Sequence, residues 1–267
     1  ACIQNCAGND QAANLERADA LVRAAHADGA RLIPLPEYFA CIEPDDAVLL
    51  ADAAEEAQHA AVAFACELAR ELACWILIGA LPVRVSAERV NNRSLLVSDR
   101  GEVVARYNKI HLFDVELRPG ERYDESATVA AGSEAVVADL PWLKLGMTVC
   151  YDLRFPELYR RLAAAGAGLL SVPSAFTRTT GRAHWEVLLR ARAIETGSFV
   201  IAPAQYGVRP WGRATWGHSL IVDPWGIVLA DGGEDEGFVC ADIDPAAVTE
   251  CRRRMPSLAH GRAFTGP

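Results

Sequence analysis

"ALVRAAHADGARLIPLPEYF" (residues 20–39) and "ELYRRLAAAGAGLLSVPSAF" (157–176) read as two copies of one structural unit. At a constant offset of 137 residues they align Leu21 with Leu158, Arg23 with Arg160, Gly29 with Gly166, Ala30 with Ala167, Pro36 with Pro173 and Phe39 with Phe176. Each copy carries the periodicity of an amphipathic helix, a glycine at the C-cap position, and a short apolar run stopped by proline, which reads as a buried strand. A second pair, "SLLVSDRGEVVA" (94–105) and "SLIVDPWGIVLA" (219–230), sets two apolar runs around a turn carrying Gly101 or Gly226, the pattern of a β-hairpin. Each half therefore predicts β-α-β-α-β elements followed by a hairpin, with helices over 45–73 and 182–197 filling the gaps. Alternating elements cover one sheet face with helices. Two such halves leave one bare face each and bury these against one another. The expected fold is α/β, a four-layer α-β-β-α sandwich with an internal pseudo-twofold repeat, as one domain over 1–267.

Composition narrows the function. The chain has 267 residues, half of them hydrophobic, with no apolar run near the roughly 20 residues of a membrane span. The N-terminal "ACIQNCAGND" lacks a basic region followed by an apolar stretch, so no signal peptide is expected. Ala1 falls where a strand is expected, and a residue or two upstream is expected with it. With 35 acidic against 26 basic residues the formal charge is −9, which argues against nucleic acid or an anionic membrane as partner. The basic run Arg252–Arg254 reads as the solvated end of a terminal helix. Eight cysteines without C-x-x-C or paired Cys/His spacing suit reduced cytosolic thiols rather than a disulfide or zinc framework.

The repeat exposes a difference in chemistry. Glu37 follows the proline in the first half, where Ser174 stands in the second. Ligand sites of open α/β sheets lie beyond the carboxyl ends of strands. Cys150 stands at another such end in "GMTVCYDLRFPELYRR" (146–161), after an apolar strand over 143–149 and before a helix begun by Pro156. Alone, Cys150 reads as a small buried hydrophobe or as a nucleophile. Glu37 alone reads as a helix cap, a surface charge or a base. Lys109, in "ARYNKIHLFD" (105–114), reads as a snorkelling cation or a functional one. Together they form a reactive set. A thiol attacking a carbonyl needs a base to take its proton and later to activate water. It also needs donors where the oxyanion forms. Glu37 suits the base, and Lys109 the charge, alongside the backbone N–H of Tyr151. A nearby cation also lowers the cost of forming thiolate.

In this order, "LPEYF" (35–39), "YNKIHLFD" (107–114) and "CYDLRFPEL" (150–158) resemble the nitrilase (carbon–nitrogen hydrolase) superfamily, as does "GHSLIVDPWG" (217–226). The resemblance spans essentially the whole chain. It implies the sandwich fold, a Glu37–Lys109–Cys150 triad, and a second glutamate, Glu125 of "YDESATVAAG" (123–132), holding the lysine ammonium in place. Asp152 and Glu157 read as structural partners of a turn or helix start. The run 183–196 has a core face of Trp185, Leu188, Leu189 and Ala193, and the resemblance puts its first turn beside the pocket. Tyr151, Arg154 and Phe176 are the expected substrate-binding positions. Arg154 has two readings, as a fork for a substrate carboxylate or as the partner of Asp152, Glu157 or another internal acid.

The implied function is a thiol amidase cleaving a non-peptide C–N bond of a small carboxylate-bearing amide, with release of ammonia through a cysteine thioester. Within the superfamily the chain resembles deaminated-glutathione amidases and ω-amidases; nitrile and N-carbamoyl hydrolysis are alternatives. No cofactor and no metal are expected, since no H-x-H or H-E-x-x-H is present. A Cys–His hydrolase using His111 is a rival enzyme, and a non-catalytic interaction protein of the same fold is a rival of another class. A homo-oligomer, dimer or larger, is expected through the helices at 157–167 and 183–196.

Overall fold

The repeated unit builds two sheets of the same order. The computed structural model describes residues 1–266. It opens with β1 (Cys2–Asn5), α1 (Gln11–Ala27), β2 (Leu32–Pro34), α2 (Asp46–Asp52), α3 (Ala60–Leu72), β3 (Trp75–Arg84), β4 (Val90–Val97) and β5 (Val103–Asn108). A two-stranded ribbon of β6 (Asp114–Arg118) and β7 (Glu121–Asp124) precedes β8 (Val136–Asp139) and β9 (Lys144–Met147). The second half continues with α4 (Pro156–Ala164), β10 (Leu169–Ser171), α5 (Arg178–Thr196), β11 (Phe199–Ala202), β12 (Ala204–Val208) and β13 (Ala214–Trp216). It closes with β14 (Leu220–Val222), β15 (Val228–Asp231), β16 (Gly237–Val239) and α6 (Pro245–Arg254).

The order β2-β3-β4-β5 recurs as β10-β11-β14-β15. In each the first pairing is parallel and the next two are antiparallel. β9 and β8 extend the second sheet, whereas β1 pairs with β12 and β16 in a sheet of its own. The hairpin glycines Gly101 and Gly226 take matching positive φ values, +74° and +84°, which a side chain would strain.

The core divides as period-two strands demand. Ile76 and Ile78 of β3, with Leu95 and Val97 of β4, pack with Val22 and Ala25 of α1 and Ala65 and Leu68 of α3. Leu77 and Leu96, on the opposite face, join Leu145, Met147 and Leu169 of the second sheet. Leu158 and Leu162 of α4 and Trp185 and Leu189 of α5 belong to that same cluster. This partition is the one helix–sheet–sheet–helix layering requires. Among the described residues no helix is long and apolar enough to cross a membrane.

Two helix expectations are corrected. The segment 45–73 is not one helix but α2 and α3, separated by residues that include a short 3-10 turn, Glu56–Gln58. Ala54 leaves the helical path to bridge Val83, its carbonyl accepts from Arg84 N–H at 2.9 Å, and the Arg84 side chain donates to Ala53 O. Pairing at the edge of β3 thus overrides a run of good helix formers. His59 then restarts the helix, its Nδ1 accepting from Ala61 N–H at 3.3 Å. In the second half α5 begins at Arg178 rather than 182, because Thr177 caps it by accepting from Thr180 N–H at 3.2 Å.

Candidate active site

Glu37 lies just past β2, where the chain is drawn against β3. Glu37 bridges Ala80, and Tyr38 N–H donates to Ala80 O at 2.9 Å. The approach depends on Gly79: a Cβ there would meet Leu35 O at 2.1 Å and Pro36 C at 2.4 Å. The matching strand end of the second half behaves alike, with Ser174 bridging Ala204. The two ends then meet, since Ala175 N–H donates to Glu37 Oε2 at 2.9 Å. A serine on one copy and a carboxylate on the other leave the two matched strand ends with a single buried carboxylate.

Cys150 is not the last residue of a strand. β9 ends at Met147, and Cys150 opens a 3-10 turn, Cys150–Arg154, with φ +48°. A non-glycine residue in the left-handed region costs on the order of 1–3 kcal/mol and persists only where its surroundings impose it. Here Cys150 N–H is held by Pro173 O at 3.0 Å, and Val149 N–H by the Asp152 carboxylate at 2.9 Å. Asp152 is fully buried and also accepts from Tyr107 OH at 2.6 Å, from His111 N–H at 3.0 Å and from the His111 ring at 2.7 Å. Asp152→Ala strands these donors, so it is expected to lower the unfolding free energy by about 3 kcal/mol or more. Urea titration checks this; a loss under about 1 kcal/mol contradicts the anchoring role.

Lys109 follows β5, its backbone pinned by Asn92 O at 2.9 Å and by Gly132 N–H at 2.8 Å. Its buried ammonium donates to Glu37 Oε1 at 3.0 Å and to Glu125 Oε1 and Oε2 at 3.0 and 2.9 Å. Asn92 Nδ2 spans both carboxylates, 2.9 Å from Glu37 and 3.1 Å from Glu125. Phe113 N–H fixes the other Glu125 oxygen at 2.7 Å. Burial pushes the Glu37 carboxyl up, but Lys109, the Cys150 thiol and Asn92 together outweigh it and hold the group below the ordinary carboxylate range. Burial likewise opposes the Lys109 charge, and Glu125 and Glu37 reverse this, raising it well above the ordinary lysine value. The Cys150 thiol is pushed well above its usual range by burial and by Glu37, with Lys109 opposing. Lys109 thus lowers the cost of forming thiolate, as expected, without overcoming burial. Burial first, and the Glu37 charge second, outweigh the ammonium and keep the thiol protonated.

These groups open on a cleft of about 500 Å3. Glu37, Lys109, Glu125, Cys150, Tyr151 and Phe176 all line it, so six of the seven expected site positions converge. Arg154 is not among the lining residues. Its guanidinium lies over the rings of Tyr151 and Phe176, 5.6 and 5.5 Å from their centroids, and 3.2 Å from His184 Nδ1. In a 3-10 turn residues i and i+3 eclipse, which aligns Arg154 with Tyr151 rather than with Cys150. Asp152, one partner foreseen for it, is bound by His111 instead. His111, the rival base, is committed to Asp152 and stacks on Phe155 at 3.6 Å. None of residues 183–196 lines the cleft; α5 reaches it one turn earlier than expected, through Thr180. Sequence reasoning missed Asn92, although a buried asparagine inside an apolar strand is itself a signal. It also missed Tyr38, Trp211 and Arg213, which complete the walls.

Among the described residues no group of three or more His, Cys, Asp or Glu side chains is placed to hold a metal ion. The chain matches the carbon–nitrogen hydrolase family over residues 1–253. It is 43% identical over 256 residues to the deaminated glutathione amidase of Synechocystis, covering 92% of each chain. It is 35% identical over 263 residues to the mouse omega-amidase NIT2, covering 98% of this chain and 94% of that one. Among solved structures it superposes on the C. elegans NitFhit protein with a TM-score of 0.90 and 37% identity. That match covers 97% of this chain but spans only 64% of the longer one. A buried acid–lysine network beside a cysteine, on this fold and with these relatives, places the chain in the carbon–nitrogen hydrolase family, as an amidase.

Proposed function

We propose that Cys150 is the nucleophile, Glu37 the general base and Lys109 the charge stabiliser of a thiol amidase acting on small carboxylate-bearing amides. The observation that supports this best is the closed network in which Lys109 touches Glu37 and Glu125 while Glu37 adjoins the Cys150 thiol at the cleft. The thiol attacks the amide carbonyl as its proton passes to Glu37, so no free thiolate precedes the bond. Protonated Glu37 holds Lys109 less strongly, which frees that N–H for the developing oxyanion. The Tyr151 N–H, in the first turn where no intrahelical acceptor exists, supplies a second donor. Glu37 returns its proton to the leaving nitrogen, and the C–N bond breaks to leave a Cys150 thioester. The same carboxylate then takes a proton from water, which cleaves the thioester and restores the thiol. Glu125 holds the ammonium between two carboxylates throughout.

The names of the relatives direct the substrate proposal to deaminated glutathione and to ω-amides of acids. The nitrogens of deaminated glutathione carry carbon, so its cleavage releases an amine rather than ammonia, and the assay must read both products. A panel of deaminated glutathione, α-ketoglutaramate, an N-carbamoyl amino acid and a nitrile tests the reading. Hydrolysis of the first two above the others supports it; preferential nitrile or carbamoyl turnover overturns it.

A symmetric dimer through the outer face of α5 is part of the same proposal. Val187 and Ile194, seven residues apart on one helix face, are 69% and 51% exposed. The exposed Trp225 and Ile227 flank Gly226, which packs against Ile194. The double change Val187→Glu and Ile194→Glu is expected to convert a dimer to monomer in sedimentation. A monomeric wild-type chain at micromolar concentration rules the dimer out.

A further inference from the structure

Two donors on the cleft wall have nothing to bind. Trp211 Nε1 and Arg213 Nε are closed off from solvent and lack a hydrogen-bond partner, and both residues line the cleft that holds Cys150. Buried donors are ordinarily paired, so two unpaired ones in a single wall mark a place where an acceptor is supplied from outside. Charge points the same way. The other arginine lining the cleft, Arg122, has Asp124 at 3.1 Å, whereas Arg213 has no ion-pair partner among the described residues. Its guanidinium lies 5.8 Å from the centroid of the Tyr123 ring, and its charge reaches Tyr38, the neighbour of Glu37.

The loop that carries these donors is built to hold still. Trp211 and Arg213 sit at the tip between β12 and β13, where Arg209 N–H donates to Arg213 O and Gly212 N–H to Arg209 O, both at 2.9 Å. The buried Arg209 side chain ties that tip inward. Its Nε donates to Ala7 O at 3.1 Å, Nη1 to Thr215 Oγ1, and Nη2 to Gln205 Oε1 at 2.7 Å. Gln205 Nε2 in turn donates to the backbone carbonyl of Glu37 at 3.1 Å. The donors are therefore fixed relative to the candidate base before any ligand arrives, which limits the ordering cost of binding.

We infer that Arg213 and Trp211 form a carboxylate subsite that grips the acidic end of the substrate while its amide carbon lies over Cys150. A carboxylate at the Nε edge of a guanidinium accepts two parallel charge-assisted N–H bonds, and the indole N–H adds a third. The carboxylate role foreseen for Arg154 passes to Arg213, because Arg154 stands outside the lining. The inference rests on the amidase reading above for its reaction, but not for its binding.

The test pairs succinamate with butyramide, a neutral amide of the same chain length, and adds succinate binding by calorimetry. Arg213→Gln is expected to lower kcat/KM for succinamate relative to butyramide by about tenfold to a hundredfold, mainly through KM. Trp211→Phe, which keeps the ring and removes the N–H, is expected to lower the same ratio by a few-fold to about tenfold. Succinate binding is expected to weaken in both variants. An unchanged ratio in both, or a shift in Arg154→Gln as large as in Arg213→Gln, overturns the assignment. If wild-type chain hydrolyses neither amide, the amidase reading fails by itself. Succinate binding then decides the subsite: it stands if binding is lost on Arg213→Gln, and falls if wild type binds no succinate or Arg213→Gln binds it equally.

Discussion

Cys150→Ala is expected to reduce turnover by about 10⁴-fold or more while leaving the fold in place. The substitution removes one sulfur atom. Alanine accepts the +48° φ of Cys150 as well as cysteine does, and the bonds from Cys150 N–H to Pro173 O and from Val149 N–H to Asp152 involve only backbone donors. The thermal transition is therefore expected to stay within a few degrees of wild type. Mass spectrometry supplies the complementary result. Brief reaction with substrate followed by acid quenching should leave the acyl mass on the peptide containing Cys150. The chain offers seven other cysteines as controls, of which Cys2, Cys74 and Cys251 are buried and Cys6, Cys41, Cys66 and Cys240 are partly accessible. An adduct on any of these, or substantial turnover in Cys150→Ala, contradicts the nucleophile. The raised Cys150 pKa adds a kinetic signature. A thiol held protonated at neutral pH reacts slowly with iodoacetamide, so Cys150 should be alkylated more slowly than an exposed thiol despite lying at the cleft.

The proposed triad positions stood out in the sequence because each follows an expected strand. Glu37 after Pro36 and Cys150 after the apolar run needed only the alternation of elements and the rule that sites gather at carboxyl strand ends. Glu125 was legible by resemblance alone, since a 3-10 turn after an irregular ribbon leaves no periodic trace. Trp211 and Arg213 left still less. They reach the cleft because β12 pairs with β1, carrying a hairpin tip back to the first half of the chain. Such long-range pairing has no local signature. Arg154 had two readings in the sequence, and nearness to Cys150 could not choose between them. The 3-10 geometry of residues 150–154 turns it onto Tyr151 instead. The segment 45–73 misled for an energetic reason. Its alanines and glutamates favour helix, yet a bridge from Ala54 to Val83 and the bonds from Arg84 outweigh a few tenths of a kcal/mol of propensity per residue.

Glu37→Gln is expected to slow turnover by about 10²–10⁴-fold, because one carboxylate serves both half-reactions. Without it the thiol keeps its proton during attack, and water is not activated to cleave the thioester. The substitution also disturbs a defined set of bonds. Glu37 Oε1 accepts from Lys109 and Asn92, while Oε2 accepts from Ala175 N–H. A glutamine oxygen can replace Oε1, but its NH2 then faces the Ala175 N–H, donor against donor. A stability loss of about 1–3 kcal/mol is therefore expected beside the kinetic one. Glu125 keeps Lys109 paired and limits the damage. The pH profile separates the two effects. Glu37 is held below the ordinary carboxylate range, so its basic form survives as pH falls and is lost only on passing that lowered value. The acid limb of wild-type kcat/KM should accordingly lie below the usual carboxylate titration, at least until the protein itself unfolds in acid. In Glu37→Gln the residual rate should lose that limb and become flat with pH over the same interval. A residual rate that keeps the wild-type acid limb, at any magnitude, assigns the proton transfer to another group and removes Glu37 from the role of base.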